Sequence, residues 1–163
     1  MKEFIEVITS RRSIRRFVYD EKIKEEDIEV ILRCAISAPS AGNEQPWHFV
    51  IIKDRTALDK IPEIHPHARM CLEAPLAILI CADLSSEKHK GFWVQDCSAS
   101  CENMLLGIHS IGLGAVWVGI YPNQMRVKDF KELFSLPEHI IPFCLVPIGH
   151  PQEENAPEER FKE

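Results

Sequence analysis

Four arginines fall within six residues, Arg11, Arg12, Arg15 and Arg16, with Ser13 among them. The guanidinium fork is planar, permanently charged and matched to phosphate oxygens, which it meets with parallel N–H donors. A serine hydroxyl adds one more donor. The chain is otherwise acidic, with 25 Asp and Glu against 19 Lys and Arg and a formal net charge of -6, so a basic cluster stands out as a candidate anion site. Its structural alternative is a solvated basic turn that helps to cap the C-terminal end of a first helix. Nucleic acid is disfavoured by the acidic balance and by the lack of aromatic interleaving or a second basic stretch.

A second constellation is the loop Pro39-Ser-Ala-Gly-Asn-Glu-Gln-Pro-Trp47. Ser40, Asn43 and Gln45 carry groups that both donate and accept, which suits the polar edge of a heteroaromatic ring. Trp47 and Phe49 would supply an apolar wall. The alternative is a surface loop whose side chains satisfy their own turn. A third stretch runs Gly112-Leu-Gly-Ala-Val-Trp-Val-Gly119. Trp117 breaks any G-x-G-x-x-G pattern, so a dinucleotide-binding strand–turn–helix is not indicated. Gly119 would let the backbone approach a flat ligand; the plainer assignment is a helix cap at Gly112 and a bulge.

Other chemistries find no support. There is no G-x-S-x-G elbow for a hydrolase and no P-loop. His65 and His67 stand two apart in a proline-rich stretch and are expected to be loop residues rather than metal ligands. His48 is expected in a strand. The six cysteines (34, 71, 81, 97, 101 and 144) contain no Cys-x-x-Cys pair. Cys97 and Cys101 would share a helix face, but no second pair completes a zinc site, so they are expected to be small core residues.

The elements that must position these groups can be read from periodicity. A short helix is expected around Phe4, Ile5, Val7 and Ile8. Ile28, Ile31, Leu32 and Ala35 mark one face of a helix over residues 25–38, with acidic residues in its first turn and Pro39 at its end. A strand is expected from Trp47 to Ile52, a short helix over 54–61, and irregular chain over 62–75, where Pro62, Pro66 and Pro75 lie. Leu76 to Ala82 is a continuous apolar run, expected to be a strand buried on both faces. Residues 92–111 should form the longest helix. It is apolar around most of its girth, with Asp96 and Glu102 as its only acids, and so is central to the protomer or to an interface. A strand over Ala115 to Ile120, an amphipathic helix over 123–134 and a strand over Ile140 to Ile148 complete the series. Pro142 and Pro147 place that last strand at an edge or give it bulges. The polar tail, Gln152 to Glu163, would by itself be a disordered end.

At 163 residues and 45% apolar composition, the chain is expected to form one domain spanning 1–163. With no secretory leader and no apolar run of the ~20 residues a membrane span needs, it is expected to be cytoplasmic, with reduced thiols. The mixture of helices and strands without a βαβ rhythm implies an α+β fold, one sheet packed between helices.

Taken together, R-R-S-I-R-R-F at 11–17, A-P-S-A-G-N-E-Q-P-W-H-F at 38–49, G-L-G-A-V-W-V-G at 112–119 and P-I-G-H-P at 147–151 resemble the nitroreductase family of flavin-dependent oxidoreductases. The likeness covers nearly the whole chain. It implies a central, mostly antiparallel sheet flanked by helices in an interlocked homodimer, with FMN bound non-covalently at the subunit interface. By the same resemblance, Arg11, Arg12 and Ser13 would hold the phosphate and ribityl end, and Arg15 would lie near the flavin N1/O2 edge. Asn43, with Ser40 or Gln45 and the adjoining Pro39, would meet the ring, and the backbone of Val118 and Gly119 would lie near N5. Larger relatives place a basic pair in the C-terminal tail against the phosphate; here Arg160 matches one position and an acid replaces the other. The implied activity is ping-pong hydride transfer from NADH or NADPH through FMN to a small acceptor such as a nitroaromatic or quinone. The alternatives are other flavin reactions (dehalogenation, dehydrogenation, flavin breakdown), or flavin binding without NAD(P)H turnover. Residues 62–75 or 84–93 are the candidates for covering a substrate.

Overall fold

The computed structural model describes residues 3–19, 21–158 and 161. Five helices and five strands follow one another as α1 (Phe4–Ser10), α2 (Glu25–Ile36), β1 (Trp47–Ile52), α3 (Arg55–Ile64), β2 (Leu76–Asp83), α4 (Trp93–Ser110), β3 (Gly114–Ala115), β4 (Val118–Gly119), α5 (Gln124–Leu133) and β5 (Ile140–Gly149). The sheet is antiparallel throughout, in the order β1-β2-β5-β3, with β4 also on the outer side of β5.

Strand β2 shows why its sequence is unbroken apolar. Leu76, Ile78, Ile80 and Ala82 face a core shared with α2 and α4, while Ala77, Leu79 and Cys81 face a second core with α3 and α5. Alternate side chains point to opposite faces, so a strand covered on both sides has no polar side. Helix α4 lies in the first core along Trp93, Cys97, Cys101, Met104 and Ile108. It crosses α2 closely at Gly107, where a Cβ would stand 2.8 Å from Cys34 Sγ.

Three sequence expectations need correction. Helix α3 does not stop at residue 61. It runs through Pro62 to Ile64, and the His65 N–H still reaches the Ile61 carbonyl. Proline within a last turn forfeits one backbone bond without breaking the helix. The stretch expected as one strand over Ala115 to Ile120 is two pairs of residues, with Val116 and Trp117 between them. Strand β5 is not at an edge: β2 lies on one side and β3 and β4 on the other. Its prolines sit where pairing is irregular. Pro142 adjoins the register shift between Ile80 and Cys81, where the Phe143 carbonyl accepts from both Ile120 and Tyr121 N–H. Pro147 falls in the gap between the outer pairings at Ile148 and Leu145. The bulge alternative therefore holds, and the gap in the outer strand accompanies it.

A fourth correction concerns the tail. Gln152 N–H donates to the Arg16 carbonyl, and Glu153 Oε1 accepts from the N–H groups of Arg15 (2.6 Å) and Arg16 (3.3 Å). Asn155 Nδ2 donates to the Ser13 carbonyl at 3.3 Å. The described part of the tail thus runs beside the arginine segment. Phe17, buried against Gly149, anchors that segment to the end of the sheet.

Candidate functional site

The arginine segment leaves the end of α1, and its members go to different places. Arg11 pairs loosely with Glu102 of α4 at 3.7 Å. Arg12 spends its guanidinium on carbonyls: Arg11 at 2.6 Å, Thr9 at 3.3 Å, and Ala156 and Glu158 in the tail at 3.2 and 3.3 Å. Its role here is to close α1 and hold the tail, which is the capping alternative drawn from the sequence. Ser13 faces the tail through its carbonyl. Arg16 pairs with Glu73 at 3.2 Å. Arg12 also lines a cavity of about 310 Å³ with Ser10, Ile14, His109 and the tail, whereas Arg15 turns toward a different one, beside β4.

That cavity, about 520 Å³, brings Arg15 together with Val116, Trp117, Val118 and Gly119. Its remaining wall comes from His65, Pro66, His67, Arg69 and Met70, which follow α3, and from Arg126 of α5. No acidic side chain among the described residues lines it. Among the described residues no carboxylate pairs with Arg15, Arg69 or Arg126. Three unpaired guanidiniums in one cavity of an acidic chain repel one another, and an anionic group entering there relieves the repulsion. Gly119 faces open space, since a Cβ there would meet nothing within 4 Å. Its carbonyl accepts from His65 Nε2 at 2.9 Å and from Arg126 Nη1 at 3.2 Å. Burial pushes the His65 pKa below its ordinary value; the Gly119 bond opposes this and the Arg126 charge adds to it. Burial and the Arg126 charge both favour the neutral ring.

The Pro39–Gln45 loop is built differently. Ser40 Oγ accepts from Gln45 N–H at 3.0 Å, and Gln45 Nε2 donates to Asn43 Oδ1 at 3.1 Å. Gly42, Asn43 and Gln45 all take positive φ, near 57°, 57° and 51°. That conformation is strained for the two non-glycine residues, and for Gln45 most of all. The turn is held from outside by Asp96 Oδ1, which accepts from Ala41 N–H at 3.0 Å, and by Glu44 Oε1, which accepts from the Lys88 and His89 N–H groups. The loop enters β1 at one edge of the sheet, while β4 and its cavity lie at the other. Three strand spacings, roughly 14 Å, separate them. One protomer thus brings Arg15, Val118 and Gly119 together and leaves Pro39, Ser40, Asn43 and Gln45 apart from them. Arg160 lies outside the described residues.

Sequence reasoning missed Arg69 and Arg126 as cavity residues; His65 stands just outside α3, a loop residue as expected, yet it is buried and bonded to the Gly119 carbonyl. The expected covering stretch at 62–75 does line the cavity; residues 84–93 instead support the Glu44 turn. Five of the six cysteines are buried core residues, as expected, and Cys34 is half-buried. Burial pushes Cys71 and Cys81 up to about 12 and raises Cys97 and Cys144 too, so these thiols stay protonated and unreactive. No group of three His, Cys, Asp or Glu capable of holding a metal occurs among the described residues. No described helix is long and apolar enough to cross a membrane.

The α+β fold thus carries a cationic cavity, without acidic lining among the described residues, that opens at a glycine-edged strand. The nitroreductase family matches this chain over residues 8–71 and 65–150. A protein of Methanothermobacter thermautotrophicus, named "Putative NADH dehydrogenase/NAD(P)H nitroreductase", is 49% identical over 98% of this chain and 83% of its own length. A crystal structure from Parabacteroides distasonis under the same name superposes with a TM-score of 0.93 at 36% identity, over 99% of this chain and 95% of that one. The structure of an FMN-dependent nitroreductase from Clostridium difficile superposes at 0.88 with 26% identity, over 96% of this chain and 92% of that one. The chain belongs to the nitroreductase family.

Proposed function

We propose that the protein is an FMN-dependent oxidoreductase that moves hydride from NADH or NADPH to a small acceptor such as a nitroaromatic or a quinone. The two substrates would use one pocket in turn. The observation that carries this reading is the convergence of Arg15 with the Val118–Gly119 backbone in one cationic cavity. The residues present suit the group. Residue 119 has no side chain to obstruct a ring, Trp117 adds apolar wall, and the unpaired guanidiniums await negative charge. FMN, when bound, supplies the hydride chemistry at its N5.

Arg15 would lie at the N1/O2 edge and favour negative charge there, with Arg69 adding to the same field. Val118 and Gly119 would present backbone to the N5 side. Arg11 and Ser13, earlier on the same segment, would serve the phosphate and ribityl end. Arg12 would contribute through the tail that it holds.

The loop bearing Pro39, Ser40, Asn43 and Gln45 would come from a second copy of the chain, because roughly 14 Å of sheet separates it from the cavity of its own protomer. The partnering face is α1 with its neighbours. Phe4, Ile5 and Ile8 are exposed there, and Phe4, Val7, Val30, Cys34, Leu106 and Gly107 line an apolar groove of about 630 Å³. The expected assembly is a homodimer with a shared site at each end of the interface. Six unpaired thiols suit a reducing, cytoplasmic setting.

The deciding experiment is a visible spectrum of the purified protein, followed by anaerobic addition of NADH and then NADPH. An oxidised-flavin spectrum that bleaches with either nicotinamide is the expected result. A colourless protein that ignores added FMN would overturn the reading.

A further inference from the structure

The Gly119 peptide is held from three directions. His65, at the end of α3, and Arg126, on α5, both donate to its carbonyl. The N–H at the far end of the same peptide, that of Ile120, donates to the Phe143 carbonyl at 3.1 Å. A carbonyl only accepts, so His65 carries its proton on Nε2, and Nδ1 is the bare nitrogen. The ring is 1% exposed, it stands edge-on to Phe130, and Nδ1 has no partner. A buried polar atom left unpaired costs stability. The fold accepts that cost, and the one bond this ring makes through its side chain is to Gly119.

The orientation of that carbonyl sets the orientation of the residue. In an antiparallel strand the N–H and C=O of one residue leave on the same side. The Gly119 carbonyl points away from β5 toward His65 and Arg126, so its N–H points away from β5 as well, on the side of the cavity. We propose that His65 and Arg126 are positioning residues that fix the Gly119 peptide so that its N–H stands ready as a hydrogen-bond donor to the ring bound in the cavity. A donor already in place when the ligand arrives requires no reorganisation as charge develops. This inference rests on the flavin reading above. It adds a histidine and an arginine whose side chains act through a neighbouring backbone group.

The first test needs no flavin. ¹⁵N NMR of the histidine rings in the flavin-free protein should show His65 neutral and protonated on Nε2. It should remain mostly so at pH 6.5, the ordinary midpoint of a histidine, because burial and the charges of Arg126 and His67 oppose a second proton. A ring protonated on Nδ1, or a cation at that pH, overturns the proposal. The second test uses the FMN-loaded protein. His65→Leu and Arg126→Met should each lower the flavin midpoint potential and slow hydride transfer, the histidine variant by roughly tenfold. His65→Gln, which keeps an amide donor, should recover most of the loss. If His65→Leu fails to fold, Arg126→Met carries the test. Unchanged potentials in the flavin-loaded variants, or equal losses in His65→Gln and His65→Leu, overturn the inference and leave the flavin reading standing. A protein that takes up no FMN removes both.

Discussion

The two halves of the candidate site are prepared in opposite ways. Around Gly119, the polar groups of the wall are locked by the protomer itself, through β5, His65 and Arg126, while Arg15 and Arg69 are left without carboxylate partners among the described residues. In the Ser40–Gln45 loop, the side chains are spent on one another and the strain sits in the backbone, at Asn43 and Gln45. The first half has surplus charge and a fixed frame, so it is ready for a ligand. The second half has satisfied side chains and a strained frame, so it is shaped in advance but must exchange its internal bonds for new ones. A site assembled from both would take its electrostatic binding energy from the first half and its discrimination from the second.

The sharpest way to break this comparison is Gly119→Val. A Cβ at this position meets no protein atom, so the ligand-free protein should melt within about 0.5 kcal/mol of the wild type. The added branches would occupy the space meant for the ring, and FMN uptake, followed by fluorescence quenching, should be lost. Wild-type affinity in this variant would move the ring elsewhere. A smaller effect is expected for Arg15→Ala. Removing one charge-assisted contact costs about 1.5–3 kcal/mol. The flavin midpoint potential should fall and hydride transfer should slow by about tenfold or more, with the oligomeric state unchanged. An unchanged potential would show that Arg69 and Arg126 supply the field without it.

Much of the frame was legible in the residues. Strand β2 starts where its apolar run does, because burial on both faces leaves an unbroken signature, and β1 matches Trp47 to Ile52 although it is only half-buried at the sheet edge. Helices α2 and α4 follow from periodicity. The break between β3 and β4 was not legible, because Ala115 to Ile120 is apolar throughout and the interruption lies opposite Pro147, about thirty residues further on. The ordered course of residues 152–158 was hidden for a similar reason: a polar, acidic tail has no core to fill, and its partners are the Arg12 guanidinium and backbone groups of Ser13, Arg15 and Arg16. Within the site, Arg15, Val118 and Gly119 were named from motifs and do meet. Arg69 and Arg126 stand in segments without a motif, and only the tertiary approach of α3 and α5 to β4 brings them in. His65 was visible as a residue but not as a buried one, since a histidine among prolines reads as loop.

The loop half offers the smallest and most discriminating effect, through Asp96. This carboxylate is 6% exposed, and its Oδ1 receives Ala41 N–H while its Oδ2 has no partner. Asp96→Ala removes a hydrogen bond to a charged group, worth about 1.5–3 kcal/mol, and at the same time relieves the penalty of an unpaired buried oxygen, about 1–3 kcal/mol. The two nearly cancel, so global stability should change little. The local consequence does not cancel: Ala41 N–H loses its acceptor, and the strained turn after it loses its outside anchor. Amide exchange at residues 41–45 should speed up in Asp96→Ala and stay slow in Asp96→Asn, which keeps an oxygen acceptor. FMN affinity should weaken only modestly, because the cavity at the far edge of the sheet is untouched. If affinity instead falls as far as in Arg15→Ala, the loop carries as much of the binding energy as the cationic cavity, and the division of labour between the two halves is wrong.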